Sequence, residues 1–156
     1  MQAAKSADLP AVRRLMRDYA NALPFALDFQ DFDEELATLP GRYAPPQGAL
    51  LVGRVDGRIV GCVGIRALDE ATCEMKRLYV SETARGSGLG RLLAEDSIAA
   101  ARRLGYRRMR LDTVPGMETA QALYARLGFR DIPPYTVNPV PGTRFLELDL
   151  RDPRAN

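Results

Sequence analysis

Apolar positions along this chain switch between two periods, and the switches mark its elements. Val12, Leu15, Met16, Tyr19, Ala20 and Leu23 recur at helical spacing. Asp8 stands where an N-cap belongs and Pro10 falls in the first turn, while Pro24 stops the helix. A short helix follows through Glu34, Glu35 and Leu36, ended by Pro40-Gly41, and Pro45-Pro46-Gln47-Gly48 reads as a loop. The period then falls to two. Ala49 to Val55 and Arg58 to Arg66 flank Asp56-Gly57, a two-residue hairpin turn. Gly61 and Gly64 in the return strand suggest a bulge or a close backbone approach. Thr72 to Val80 continues the meander as a third strand.

Helical spacing returns from about Gly88 to Leu104, with Gly105 at its end. Arg107 to Thr113 is a strand that puts Met109, Leu111 and Thr113 on one face. Met117 to Leu127 is a helix closed by Gly128. Phe129 to Ile132 and the alternating Arg144 to Leu150 form two last strands around a long loop, Pro133 to Gly142. This order predicts an α/β (α+β) fold: a mixed, mostly antiparallel sheet of about six to seven strands with about four helices. Residues 1–152 read as one domain and 153–156 as a short tail.

Composition narrows the chemistry. The 156 residues are 46% hydrophobic and 27% charged, as in an ordinary globular domain. Twenty-two Lys+Arg against 20 Asp+Glu leave a net charge of +2, too small a bias to argue for nucleic acid. Arg102, Arg103, Arg107, Arg108 and Arg110 are the one basic cluster. They read as a solvated helix end and strand edge, or as a landing patch for an anionic cofactor tail. The chain has no histidine, which removes Ser-His-Asp and Cys-His catalysis and histidine-based metal sites, so no metal is expected. Cys62 and Cys73 lack C-x-x-C spacing and read as reduced core thiols in adjacent strands, with a disulfide or a nucleophile as the other possibilities. No stretch approaches the about 18 apolar residues of a membrane span, and Met1 to Pro10 lacks a signal peptide's apolar run; a cytoplasmic protein with no membrane partner is the expectation.

The segment Arg85-Gly86-Ser87-Gly88-Leu89-Gly90 follows a strand and opens a helix. Glycines let backbone approach a ligand closely, and the first helical N–H groups lack internal partners at the positive end of the helix dipole. A pyrophosphate satisfies both conditions. The glycines alone are equally compatible with a tight strand-to-helix turn that binds nothing.

The flanking residues shift that balance. Cys73-Glu74-Met75-Lys76-Arg77-Leu78-Tyr79-Val80, a polar link, then Arg85-x-x-Gly88-x-Gly90 resembles the cofactor-binding motif of the GNAT superfamily of acetyl-CoA-dependent N-acetyltransferases. Ala120 to Phe129, with Tyr124 and Gly128-Phe129, resembles the family's second signature. The resemblance covers essentially the whole chain, with only Met1 to Ala4 left for a first strand that is short or absent. It implies an acyltransferase moving an acetyl group from acetyl-CoA to a primary amine of a small molecule or peptide, by direct attack in a ternary complex. The protein would be a monomer or homodimer.

By the same resemblance, the backbone of Leu78, Tyr79 and Val80 should pair with the pantetheine arm like an added strand. Arg85, Gly86, Ser87, Gly88, Leu89, Gly90 and Arg91 should hold the pyrophosphate. Glu74, where some members keep a glutamate base, is the candidate base. An amine with pKa near ~10.4 starts protonated and needs one. Period-two alternation would put Glu74, Lys76, Leu78 and Val80 on one face; the plainer alternative is a sheet glutamate paired with Lys76 or Arg77. Tyr124 is the candidate acid for the thiolate, or else a core tyrosine. Many members carry Asn where Met117 stands, so one cofactor hydrogen bond is expected to be missing. Asp112 either lines the acceptor site or caps the Pro115-Gly116 turn. Phe25, Phe29, Phe32, Tyr135 and Asn138 are pocket or core candidates, and Asp28, Glu34 and Glu35 read as a solvated face. A Rossmann-type dinucleotide binder fits poorly, because the third glycine has the wrong spacing. A non-catalytic acyl-CoA sensor is the alternative function.

Overall fold

A computed structural model describes residues 2–23 and 31–151. Phe25, Asp28 and Phe29, the stop at Pro24 and the tail at 153–156 lie outside the described residues. The strands are β1 (Gln2–Ala3), β2 (Ala49–Val55), β3 (Arg58–Ala67), β4 (Thr72–Val80), β5 (Arg108–Thr113), β6 (Arg130–Ile132) and β7 (Arg144–Asp149). The helices are α1 (Leu9–Ala22), α2 (Phe32–Ala37), α3 (Leu89–Arg103) and α4 (Glu118–Leu127). The seven strands form one sheet in the order β1-β2-β3-β4-β5-β7-β6. Every pairing is antiparallel except β4 with β5.

Local chemistry accounts for most boundaries. Asp56 and Gly57 both take positive φ (51° and 78°), as a tight hairpin turn requires. Asp8 occupies the N-cap position of α1, but its carboxylate accepts from the Lys5 N–H and from Arg54 instead of capping the helix. Gly128, at φ 102°, closes α4.

The sheet separates two apolar clusters. One, built with α3 and α4, holds Met75, Leu93, Ile98, Leu111, Leu123 and Tyr124 among others. The other, built with α1 and α2, holds Val12, Met16, Phe32, Leu36 and Cys62. The glycines of β3 permit this sandwich to close. A Cβ on Gly61 would stand 2.8 Å from Leu93 Cδ1, and one on Gly64 2.6 Å from the Tyr43 ring. Cys62 and Cys73 are buried free thiols in neighbouring strands but belong to opposite clusters. Burial raises both thiols to about 12, which keeps them protonated and poor nucleophiles.

One expectation about β4 is overturned. Cys62 pairs with Tyr79 and Gly64 with Lys76, so Arg77 and Leu78 together oppose Val63. Arg77 is the bulged residue, with φ at 61°. The extra residue inverts the alternation. Leu78 and Val80 pack with Met75 and Cys73, whereas Glu74 and Lys76 line a cavity on the α2 side. The four do not share a face.

No described helix is long and apolar enough to cross a membrane.

Candidate active site

Strands β4 and β5 run side by side only from Thr72–Arg108 to Glu74–Arg110, and then part. Beyond Glu74 no described strand pairs with the edge of β4 facing β5, while its other edge stays bonded to β3. The parting leaves a V-shaped notch through the sheet. Met75, Lys76, Arg77 and Leu78 line one side, Leu111, Asp112 and Thr113 the other, with Tyr124 of α4 and Asn138 of the late loop beside them.

Two larger spaces meet at this notch. On one side lies a groove of about 670 Å³, lined by Leu78, Tyr79, Val80, the turn from Arg85 to Arg91 and the start of α4 around Met117. On the other lies a cavity of about 540 Å³, lined by Glu35, Arg66, Glu74, Thr136 and others. Leu78, Met117 and Ala120 border both groove and notch. Lys76 and Asp112 border both notch and cavity.

The glycine turn is built for close approach. Gly86 and Gly88 take φ of 80° and 83°, and nothing lies within 4 Å of a Cβ at either position. Gly88 is the N-cap of α3, and the ladder starts with the Leu92 N–H to Gly88 O at 3.1 Å. The N–H groups of Gly90 and Arg91 therefore precede the helical ladder. Ser87 Oγ donates to Ala84 O and lies 3.4 Å from the Leu89 N–H, tightening the turn from inside. The Arg85 guanidinium lies over the Tyr79 ring, 5.5 Å from its centroid, and donates to Val80 O at 3.2 Å. The Arg91 side chain makes an exposed i,i+4 pair with Glu95.

Glu74 is 1% exposed. Its partners are neither Lys76 nor Arg77: Oε1 accepts from Arg66 Nε at 2.8 Å, and Oε2 from the Tyr135 hydroxyl at 2.7 Å. Burial, with the Glu74 charge beside it, holds the Tyr135 phenol well above its usual range, so it stays a proton donor. Asp112 does not cap the Pro115-Gly116 turn; the Gly116 N–H goes to Glu118. Instead Asp112 Oδ2 accepts from Asn138 at 3.1 Å, and Oδ1 stands 4.0 Å from Lys76 Nζ. Burial lowers the Lys76 ammonium from its ordinary value, against the opposing pull of Glu74 and Asp112. Tyr124 is buried against Phe129, and its hydroxyl has no hydrogen-bond partner among the described residues. Burial raises its pKa, so it too stays protonated.

Glu35 is not part of a solvated face. It accepts two bonds from Arg77, at 3.0 and 2.9 Å, and one from the Tyr43 hydroxyl at 2.9 Å. Burial alone would raise its carboxyl, but these donors hold it below the ordinary range. Phe32 is core, 5.1 Å from the Arg77 guanidinium. Among the basic cluster, Arg110 pairs with Glu147, Arg102 bonds Leu150 O and Arg108 bonds Thr72.

Arg66 was not anticipated as a partner of Glu74. The cross-strand register sets it opposite Glu74, across a turn centred on Glu70. No comparable signal links Glu35 to Arg77, which are 42 residues apart.

A strand edge along Leu78 to Val80 and a glycine turn at a helix N-terminus are what the sequence resemblance implies, and the notch joining two chambers is what the structure adds. Residues 10–129 match the model of the Acetyltransferase (GNAT) family. The chain belongs to the GNAT acetyltransferase family. An N-acetyltransferase of Schizosaccharomyces pombe is 38% identical to this GNAT chain over 145 residues, covering 92% of it and 89% of the relative. Another, YjgM of Escherichia coli, is 32% identical, covering 80% and 78%. Among solved structures, a GNAT acetyltransferase of Staphylococcus aureus superposes with a TM-score of 0.80 at 20% identity, covering 96% and 97%. A putative acetyltransferase of Salmonella typhimurium with its cofactor acetyl-CoA gives 0.74 at 24%, covering 96% and 92%. This GNAT protein is thus an acyltransferase.

Proposed function

We propose that this GNAT enzyme binds acetyl-CoA in the groove along β4 and transfers the acetyl group to a primary amine of a small molecule or peptide held in the opposite cavity. The passage from glycine turn to notch to acceptor cavity is the observation that supports this reading. The groove has the features the cofactor needs: an open strand edge for two amides, uncrowded glycines and early helix N–H groups for a pyrophosphate.

In this reading the backbone of Leu78, Tyr79 and Val80 binds the pantetheine arm. The turn from Arg85 to Arg91 binds the pyrophosphate through its N–H groups. Arg85, which holds Val80 O, keeps turn and strand in register. Tyr124 gives a proton to the departing thiolate. Burial raises its pKa and makes it a weaker acid toward the thiolate, and a direct hydrogen bond at the moment of cleavage offsets that gap. Glu74 accepts the amine's proton through a water in the cavity, because Arg66 and Tyr135 already occupy an oxygen each. Attack is direct, in a ternary complex, with groove and cavity meeting at the notch.

The test is thiol release from acetyl-CoA over a panel of amines, polyamines, aminoglycosides and peptide N-termini, together with a thermal shift. A ligand that binds only the native state must raise the melting temperature. The expected result is a shift with CoA and acetyl-CoA and thiol release with part of the panel. A shift with NAD but none with millimolar acetyl-CoA would overturn the reading.

A further inference from the structure

Of the chain's 22 basic residues only two are lysines, Lys5 and Lys76. Lys5 is exposed near the N-terminus. Lys76 is 7% exposed and stands where notch and acceptor cavity meet. The notch is small, about 70 Å³, and Tyr124 and Met117 line it together with Lys76. An acetyl group delivered along the groove would arrive there. Lys76, which borders that space, carries an amine of the protein's own, and Asp112 stands 4.0 Å from its nitrogen. An acceptor amine coming through the cavity must pass the same two residues. The other buried basic residue among those described is Arg77, and a guanidinium is no nucleophile. Lysine can lose its proton and react.

We infer that Lys76 is a self-acetylation site: in the absence of an acceptor, its Nζ takes the acetyl group from acetyl-CoA, and the acetylated residue closes the notch. The inference rests on the reading of the groove as the acetyl-CoA site. Lys76 first gives up one proton to solvent in the cavity. Its nitrogen lone pair then forms the N–C bond at the thioester carbonyl as the C–S bond breaks. Sulfur takes a proton from Tyr124, and the second proton leaving nitrogen passes through solvent to restore the Tyr124 hydroxyl. The products are Nε-acetyl-lysine and free CoA, with no further reactant. Burial favours the neutral amine this step needs, while Arg66 and Arg77 act in the same direction and Glu74 and Asp112 oppose them. The acetylated side chain has no charge to pair with Asp112 and adds an acyl group to a space of about 70 Å³. Entry of the acceptor is then blocked.

The experiment incubates the protein with acetyl-CoA alone and follows intact mass and peptide maps. Two lysines and the α-amine make the map unambiguous. The expected result is one acetyl group, at Lys76, with Lys5 unmodified. Lys76→Arg should gain none, and Tyr124→Phe should slow the gain at least tenfold. The urea-unfolded chain should show no preference for Lys76. Acetylation of Lys5 or the α-amine alone, or of Lys76 equally in folded and unfolded chain, overturns the inference. So does an unmodified Lys76 in protein that binds acetyl-CoA by thermal shift, an outcome that leaves the proposed function intact. Absence of any acetyl-CoA binding overturns both.

Discussion

The Tyr135 hydroxyl donates to Glu74 Oε2 at 2.7 Å, tying the loop after β6 to the central strand 61 residues earlier in the chain. Arg66 holds the other oxygen. Tyr135→Phe leaves a buried carboxylate oxygen without its donor, which costs about 1–3 kcal/mol. Urea unfolding should show that loss. An unchanged midpoint would mean that water replaces the phenol at no cost.

Glu74→Gln should lower kcat most at low pH, where more of the acceptor amine is protonated and more of it needs a base. The pH–rate profile checks this. A loss equal at every pH would assign Glu74 to structure alone, through its pair with Arg66.

Tyr124→Phe should lower kcat by about 10²–10⁴-fold, the usual worth of a positioned acid. The KM for acetyl-CoA and the melting temperature should barely change, because the hydroxyl has no partner among the described residues to lose. Steady-state kinetics with a good acceptor separates the two parameters.

Glu35→Gln should destabilise the fold by about 3–5 kcal/mol, because it leaves the Arg77 guanidinium buried without its counter-charge. The Glu35 carboxyl is held below its ordinary value in the fold. Its contribution is therefore fully present above the unfolded value of about 4.3 and is lost as pH falls through the lower folded value. Unfolding measured across the acid range should show a shallower decline for Glu35→Gln than for the parent.

Gly88→Ala and Gly61→Ala should fail for different reasons. At Gly88 the φ of 83° strains any side chain by about 1–2 kcal/mol, yet nothing lies within 4 Å. Its main loss should be affinity for acetyl-CoA, read by titration calorimetry. At Gly61 the added carbon would meet Leu93 Cδ1 at 2.8 Å. Overpacking there costs about 1–3 kcal/mol and should appear in the melting temperature.

Much of this molecule is local, and locality made it legible. The Asp56-Gly57 turn, Gly128 at the end of α4, and the strand Thr72–Val80 follow from residue preferences over a few positions. The two motifs around Arg85–Gly90 and Tyr124 identify the family because their chemistry is carried by residues adjacent in sequence. A period-two pattern cannot report a single inserted residue, so the bulge at Arg77 and the change of face at Leu78 were illegible. The sequence by itself determined the elements, their order and the family chemistry, since these depend on short-range backbone and side-chain preferences. Only the tertiary structure decided that β4 and β5 part after Glu74, that Arg66 and Tyr135 share one carboxylate, and that Lys76 and Asp112 stand between two chambers. Those relationships are distances between residues far apart in the chain, set by how the two apolar clusters close on the sheet.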